Sequence, residues 1–283
     1  MRQKTKTAIA RNGDHAREMG RMIEELSRRH RPHQVFADFC ELSALSISNA
    51  VDKTQFDKRE ARYLQIVKGY SVAEMEVFPA LLSHLVAWLE SGMDDCLGKL
   101  FMLLDLGNHW KGQFFTPFEV SRLMAGMLTG DVRGQVEQHG FLTVCEPAVG
   151  AGGMVIAMAN AIAEQGVNYQ RAMHVTAIDV DATAAHMAYM QFSLLHLPAI
   201  VLHGNALSTE VWGHWLTPAH VIHGWDRRLH RRYGSTAAVD AQPAGEPTVA
   251  TIQSEAGAIA RQDLADIRER LVAQRMEQMN LFG

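Results

Sequence analysis

Residues 142–154, LTVCEPAVGAGGM, decide the fold. An apolar run rich in β-branched residues, Leu142 to Cys145, stops at Glu146 and is followed by a turn, by Gly150, Gly152 and Gly153, and by the helical run MVIAMANAIAEQ. A buried strand, a tight glycine turn and a helix in that order open a parallel α/β unit, because the glycines let the backbone turn sharply and approach a ligand without a Cβ. Downstream, HVTAIDVD reads as a second buried strand, DATAAHMAYMQFSLLHL as a helix and AIVLHGN as a third strand. Crossover connections then bring the strand ends carrying Glu146 and Asp179 to one edge of the sheet.

Asp179 follows Glu146 by about thirty residues, the spacing at which a second-strand carboxylate takes the hydroxyls of a ribose. This points to a nucleoside cofactor; the alternative is tight helix–sheet packing without a ligand. The glycines are preceded by Glu146-Pro147 and do not form GxGxxG. A carboxylate beside the loop repels a pyrophosphate and suits a cationic ligand, and S-adenosylmethionine carries both a sulfonium and an amino group.

Upstream, residues 1–110 read as a helical domain. Met19, Met22, Ile23 and Leu26, then Val77, Leu81, Leu82, Leu85, Val86 and Leu89, recur at three- and four-residue spacing. Gly107 and Asn108 suit a helix C-cap, and Thr116-Pro117 suit the N-cap and first position of a helix running to Leu128. Residues 111–233 form the α/β domain, 234–252 a Pro/Gly-containing linker, and 253–283 a C-terminal helix and tail. The expected architecture is an abbreviated, Rossmann-like, doubly wound parallel sheet behind a helical domain. Met124, Met127, Met154, Met158, Met187 and Met190 lie at helical spacing and are expected to fill the core.

Composition excludes several classes. The 283 residues are 47% hydrophobic and 20% charged, the profile of a globular chain. No apolar run is expected to reach the roughly 18 residues of a membrane span, and no secretory leader is evident in MRQKTKTAIARNGDHAREMG, so a cytoplasmic protein is expected. Cys40, Cys96 and Cys145 show no CxxC spacing. His214, His220, His223 and His230 cluster without HExxH or an acidic partner at ligand spacing, so no metal site is expected. The net charge is -4, yet Met1 to Arg31 holds nine Lys or Arg against four acids, and Arg227, Arg228, Arg231 and Arg232 form a second basic cluster. Each reads either as a phosphate contact or as a solvated helix face. Trp212, Trp215 and Trp225 either line a nucleotide groove or pack over the sheet.

Gly112 to Pro117 (GQFFTP), followed by Glu146 to Gly153 (EPAVGAGG), resembles the N6-adenine DNA methyltransferases, especially the modification subunits of type I restriction systems. The motifs cover about residues 112–207. The resemblance implies S-adenosylmethionine as cofactor, with Phe115 and Thr116 against its methionine end, Glu146, Pro147, Gly150 and Gly152 in the cofactor loop, Asp179 on the ribose and Asn205 near the adenine amine. Asn205 stands where the family usually has an acid; its amide still offers a carbonyl acceptor. DNA is implied as partner, together with a separate specificity subunit.

The family's Asn/Asp-Pro-Pro-Tyr/Phe tetrapeptide, which holds and stacks the flipped adenine, is missing. By order along the chain its nearest counterpart is Thr217-Pro218-Ala219-His220, making Thr217, Pro218 and His220 the candidate catalytic residues, and no convincing strand follows Asn205. Two readings stand: an adenine methyltransferase with an altered catalytic segment, or an inactive relative that binds DNA or protein partners. Gln278, Leu281 and Phe282 in QMNLF also resemble the QxxLF peptide that docks on the DNA polymerase sliding clamp; the alternative is a helix end packed on the body.

Overall fold

The computed structural model describes residues 2–104, 106 and 115–233, with side chains described from Asp14 onward. The Gly107-Asn108 cap, residues 112–114 of the GQFFTP segment, the 234–252 linker, the C-terminal helix and the Gln278, Leu281 and Phe282 docking peptide lie outside the described residues.

The helical region comprises α1 (Arg2–Leu26), α2 (Pro32–Val51), α3 (Phe56–Val67), α4 (Val72–Met75), α5 (Val77–Glu90) and α6 (Cys96–Leu103). The α/β region follows as α7 (Phe118–Leu128), α8 (Val132–His139), β1 (Leu142–Glu146), α9 (Gly153–Glu164), α10 (Tyr169–Ala172), β2 (Met173–Asp179), α11 (Ala182–Leu194), β3 (Ala199–Asn205), β4 (Glu210–Leu216), α12 (Pro218–Ile222) and α13 (Trp225–Tyr233). α7 starts one residue later than its sequence suggests: Pro117 is extended, at ψ 135°, and its carbonyl accepts from the Val120 and Ser121 amides.

The sheet order is β1-β2-β3-β4. Val144 pairs with Val175 and Ala177 with Val201 in parallel, as the alternation of strands and helices predicts. β4 is the strand that the sequence reading missed. It returns antiparallel, with Asn205 opposite Glu210 and Ile200 opposite Leu216. The described sheet therefore grows from β1 in one direction only.

Period-two alternation divides the sheet between two faces. Val175, Ala177, Ala199 and Val201 enter the main core, whereas Ile178, Ile200 and Leu202 form a small cluster on the other face. The main core is continuous with the helical region: α11 packs on β2 and β3 and is covered in turn by α2 and α6, and Phe36, Phe39, Leu97 and Leu100 share one cluster with Tyr189 and Phe192. Polar contacts reinforce the junction. The Arg59 guanidinium pairs with Asp52 at 2.7 Å, donates to the His214 carbonyl at 2.9 Å, and lies 4.7 Å from the Trp215 ring centroid.

Two expectations change. Met187 and Met190 are buried, but Met124 is 43% and Met127 78% exposed. With Val120, Leu123 and Leu128, also exposed, they form an outward apolar row on α7, whose other side packs on α9. Second, Val72–Glu90 is long and apolar enough by composition to cross a membrane, with mean hydropathy 1.4. It consists of α4 and α5 joined at Glu76, and Phe78, Leu81, Leu85, Trp88 and Leu89 enter the main core, where α5 packs on α1 and α6.

Candidate functional site

The glycine loop is built by short-range backbone chemistry. After β1, the Val149 amide donates to the Ile178 carbonyl at 2.8 Å, and the Gly150 amide donates to Asp179 Oδ2 at 2.8 Å. Asp179 Oδ1 accepts from the Asp181 amide at 2.9 Å, so this carboxylate fixes both the first loop and the turn after its own strand. Gly150 and Gly152 have φ of +56° and +99°, a region that side-chain-bearing residues rarely occupy. A Cβ at Gly150 would meet the Phe115 ring at 2.9 Å, and one at Gly152 would meet Phe192 Cε1 at 2.6 Å. The backbone is thus pressed against aromatic rings on two sides. The first helical hydrogen bond of α9 runs from Ile156 to Gly152, which leaves the first-turn amides without intrahelical acceptors.

Above the loop lies a cavity of about 270 Å³ lined by Asp95, Phe115, Thr116, Ser121, Glu146, Ala148, Val149, Gly150, Ala151, Gly153 and Met154. Eight of these, Phe115, Thr116, Glu146, Ala148, Val149, Gly150, Ala151 and Gly153, fall in the two motif segments, separated by 28 residues in sequence but joined here around one space. Among the described residues the lining has two carboxylates and no Lys, Arg or His. Burial raises the Glu146 pKa, and the Asp179 carboxylate adds to the rise, while the Ala148 amide opposes it by donating to Oε1 at 3.2 Å. Such a cavity fits a ligand with a positive end and disfavours a pyrophosphate.

Asp95 is the residue that the sequence reading missed. It comes from the helical region, where it caps α6 by accepting from the Gly98 amide at 2.9 Å. Its sequence signal is local: an Asp three residues before a glycine at a helix start, which reads as a cap and nothing more.

Asn205 sits at the same sheet edge but does not line the cavity. Its Oδ1 accepts from the Leu207 and Ser208 amides at 2.9 and 3.3 Å, closing the β3–β4 turn. The carbonyl expected to receive an adenine amine is engaged in that turn, because a short polar side chain mimics the backbone there.

Thr217, Pro218 and His220 lie away from the cavity. Thr217 and His220 are both 0% exposed. Thr217 Oγ1 donates to the Leu197 carbonyl and accepts from the Ala199 amide, at the beginning of β3. Pro218 is the first residue of α12. His220 Nε2 lies 3.2 Å from Asp226 Oδ1, so its Nδ1 accepts from His174 Nε2 at 2.9 Å, at the beginning of β2. The cavity is at the opposite ends of these strands. A seven-residue strand spans roughly 20 Å at about 3.3 Å per residue, so these side chains lie about a strand length from the cavity. The antiparallel run of β4 is the reason.

The tryptophans and the second arginine cluster also separate. Trp225 is fully buried against Phe141 and His174, Trp215 packs on His186 and Tyr189, and Trp212 is 51% exposed beside His203. Arg228 lies 3.6 Å from the Trp225 ring centroid and Arg232 donates to the Phe141 carbonyl, leaving Arg227 and Arg231 exposed. Among the described residues no group of three or more His, Cys, Asp or Glu could hold a metal ion.

Residues 102–223 match the family model described as N-6 DNA methylase, a span that contains the glycine loop and all four strands. No curated protein matches the chain. Among solved structures, one described as a class I S-adenosylmethionine-dependent methyltransferase from Listeria monocytogenes aligns at 13% identity with a TM-score of 0.38. The alignment covers 69% of this chain and 54% of that one, so the chain spans about half the length of that structure.

Proposed function

We propose that this chain binds S-adenosylmethionine in the cavity at the C-terminal ends of β1 and β2 and serves N6-adenine methylation of DNA. The observation that carries the reading is the cavity lining: among the described residues it has two carboxylates, an aromatic ring, a glycine loop and no basic side chain, within a stretch that largely falls inside the N-6 DNA methylase match. Phe115 and Thr116 wall the methionine side, Glu146 and Asp179 serve the nucleoside side, and Gly150 and Gly152 keep the loop clear of side chains. When bound, this cofactor supplies an electrophilic methyl group on a sulfonium. The chain's part is to orient the cofactor through these contacts and to exclude water with Phe115, Val149 and Met154.

Thr217 and His220, the acceptors expected by order along the chain, are buried at the far strand ends. That burial favours a second reading, a cofactor-binding protein that does not transfer the methyl group and acts through a DNA or protein partner.

Calorimetry with S-adenosylmethionine tests the common element. Wild type should bind, and Asp179→Ala and Gly150→Val should each lose binding by at least about tenfold, from loss of the loop anchor and from collision with Phe115. Absence of wild-type binding, or unchanged binding in both variants, rejects the cofactor reading. Transfer of labelled methyl to duplex or single-stranded DNA then supports the enzyme, and binding without transfer supports the alternative.

A further inference from the structure

Asp95 is held more firmly than a helix cap requires. Its Oδ1 accepts from both the Gly98 amide and Gln191 Nε2, each at 2.9 Å. Gln191, itself 0% exposed, donates its second hydrogen to the Ala151 carbonyl at 2.8 Å and accepts from the Leu97 amide at 3.2 Å. One carboxamide, 96 residues from Asp95 in sequence, thus ties the Asp95 cap to the glycine loop.

Oδ2 is left facing the cavity. A Cβ at Gly153, the first residue of α9, would come within 2.9 Å of it, so only a glycine there lets the carboxylate meet the helix start. Asp95 is 4% exposed, and among the described residues nothing donates a hydrogen bond to Oδ2. Burial raises its pKa, against the hydrogen bonds from Gln191 and the Gly98 amide to Oδ1. Lys99, whose charge acts on it, is paired with Asp94 at 2.7 Å.

The two carboxylates of the cavity are not equivalent. Glu146 ends β1 beside the end of β2 that carries Asp179, whereas Asp95 stands at the start of α9. A carboxylate beside the unbonded amides of a helix start matches an α-amino acid end, with an ammonium for the one and a carboxylate for the other. We infer that Asp95 Oδ2 receives the α-ammonium of S-adenosylmethionine, so that the helical region contributes a cofactor ligand. This rests on the cofactor reading above.

The test is calorimetry with two ligands: S-adenosylhomocysteine, which carries the amino-acid end, and methylthioadenosine, a nucleoside thioether that lacks it. Asp95→Asn keeps shape and acceptor but removes the charge, and should weaken S-adenosylhomocysteine by roughly 10- to 100-fold while leaving methylthioadenosine within about threefold of wild type. Asp95→Ser, which retains a good capping oxygen, should show the same selective loss and guards against a folding defect in the first variant. Equal losses for both ligands, or no loss for either, overturn the assignment of Asp95 while wild-type binding of S-adenosylhomocysteine still supports the cofactor reading. A wild type that binds neither ligand overturns both.

Discussion

The Arg59 guanidinium carbon lies 4.7 Å from the Trp215 ring centroid, and this contact joins α3 of the helical region to β4 at the sheet edge. Because Arg59 also pairs with buried Asp52, replacing it by Met keeps much of the contact with the ring but leaves a buried carboxylate without its cation. The variant should lose about 3–5 kcal/mol of stability, and Arg59→Met with Asp52→Asn should recover part of the loss. Denaturant unfolding of the single and double variants measures both.

Glycines in α7 and in the loop should respond in opposite directions. A Cβ at Gly126 meets nothing within 4 Å, so Gly126→Ala should stabilise the exposed helix by about 0.5–1 kcal/mol. Gly152→Ala collides with Phe192 at a φ of +99° and should destabilise the protein while weakening cofactor binding. Equal melting temperatures for the two variants would contradict this.

Thr217→Ala and His220→Ala should affect folding and spare the cofactor. Loss of the Thr217 hydroxyl removes a helix cap and two hydrogen bonds at the start of β3, a cost of about 1–2 kcal/mol. S-adenosylmethionine affinity should stay within about twofold, because both side chains sit a strand length from the cavity. Affinity that falls with either variant while stability holds would place these residues at the site after all.

Acid should weaken the fold through His186. Burial against Trp215 lowers its pKa to about 4, so the folded state favours the neutral ring. The stabilisation is complete above the ordinary histidine value near 6.5 and is lost as pH falls from there to about 4, up to ~3 kcal/mol in all. His196, lowered by burial and by His223, shifts stability in the same direction. Stability measured across pH 7 to 4 should show this loss, and His186→Phe should flatten it.

Much of the site is local in origin, and that part is legible in the chain. Glu146, the turn and the glycines lie within eight residues, and Asp179 closes the neighbouring strand, so a single strand pairing brings them together. β4 carried a weaker signal, the alternation in EVWGHWL, whose burial changes side along the strand. Its direction carried none: a fourth strand reads the same whether it runs parallel or antiparallel, and that choice moved Thr217 and His220 to the far edge. Met124 and Met127 show the converse, since helical spacing identifies a face but not what covers it.

Sequence alone determined the parallel β1–β2–β3 unit, the glycine loop and the acids at its rim, because backbone propensity and side-chain period act over a few residues. Tertiary structure decided the return of β4, the burial of Thr217 and His220, and the arrival of Asp95 at the cavity through Gln191. Those outcomes depend on which distant surfaces meet, and that is set by packing of α2 and α6 on α11 rather than by any property of the segments themselves.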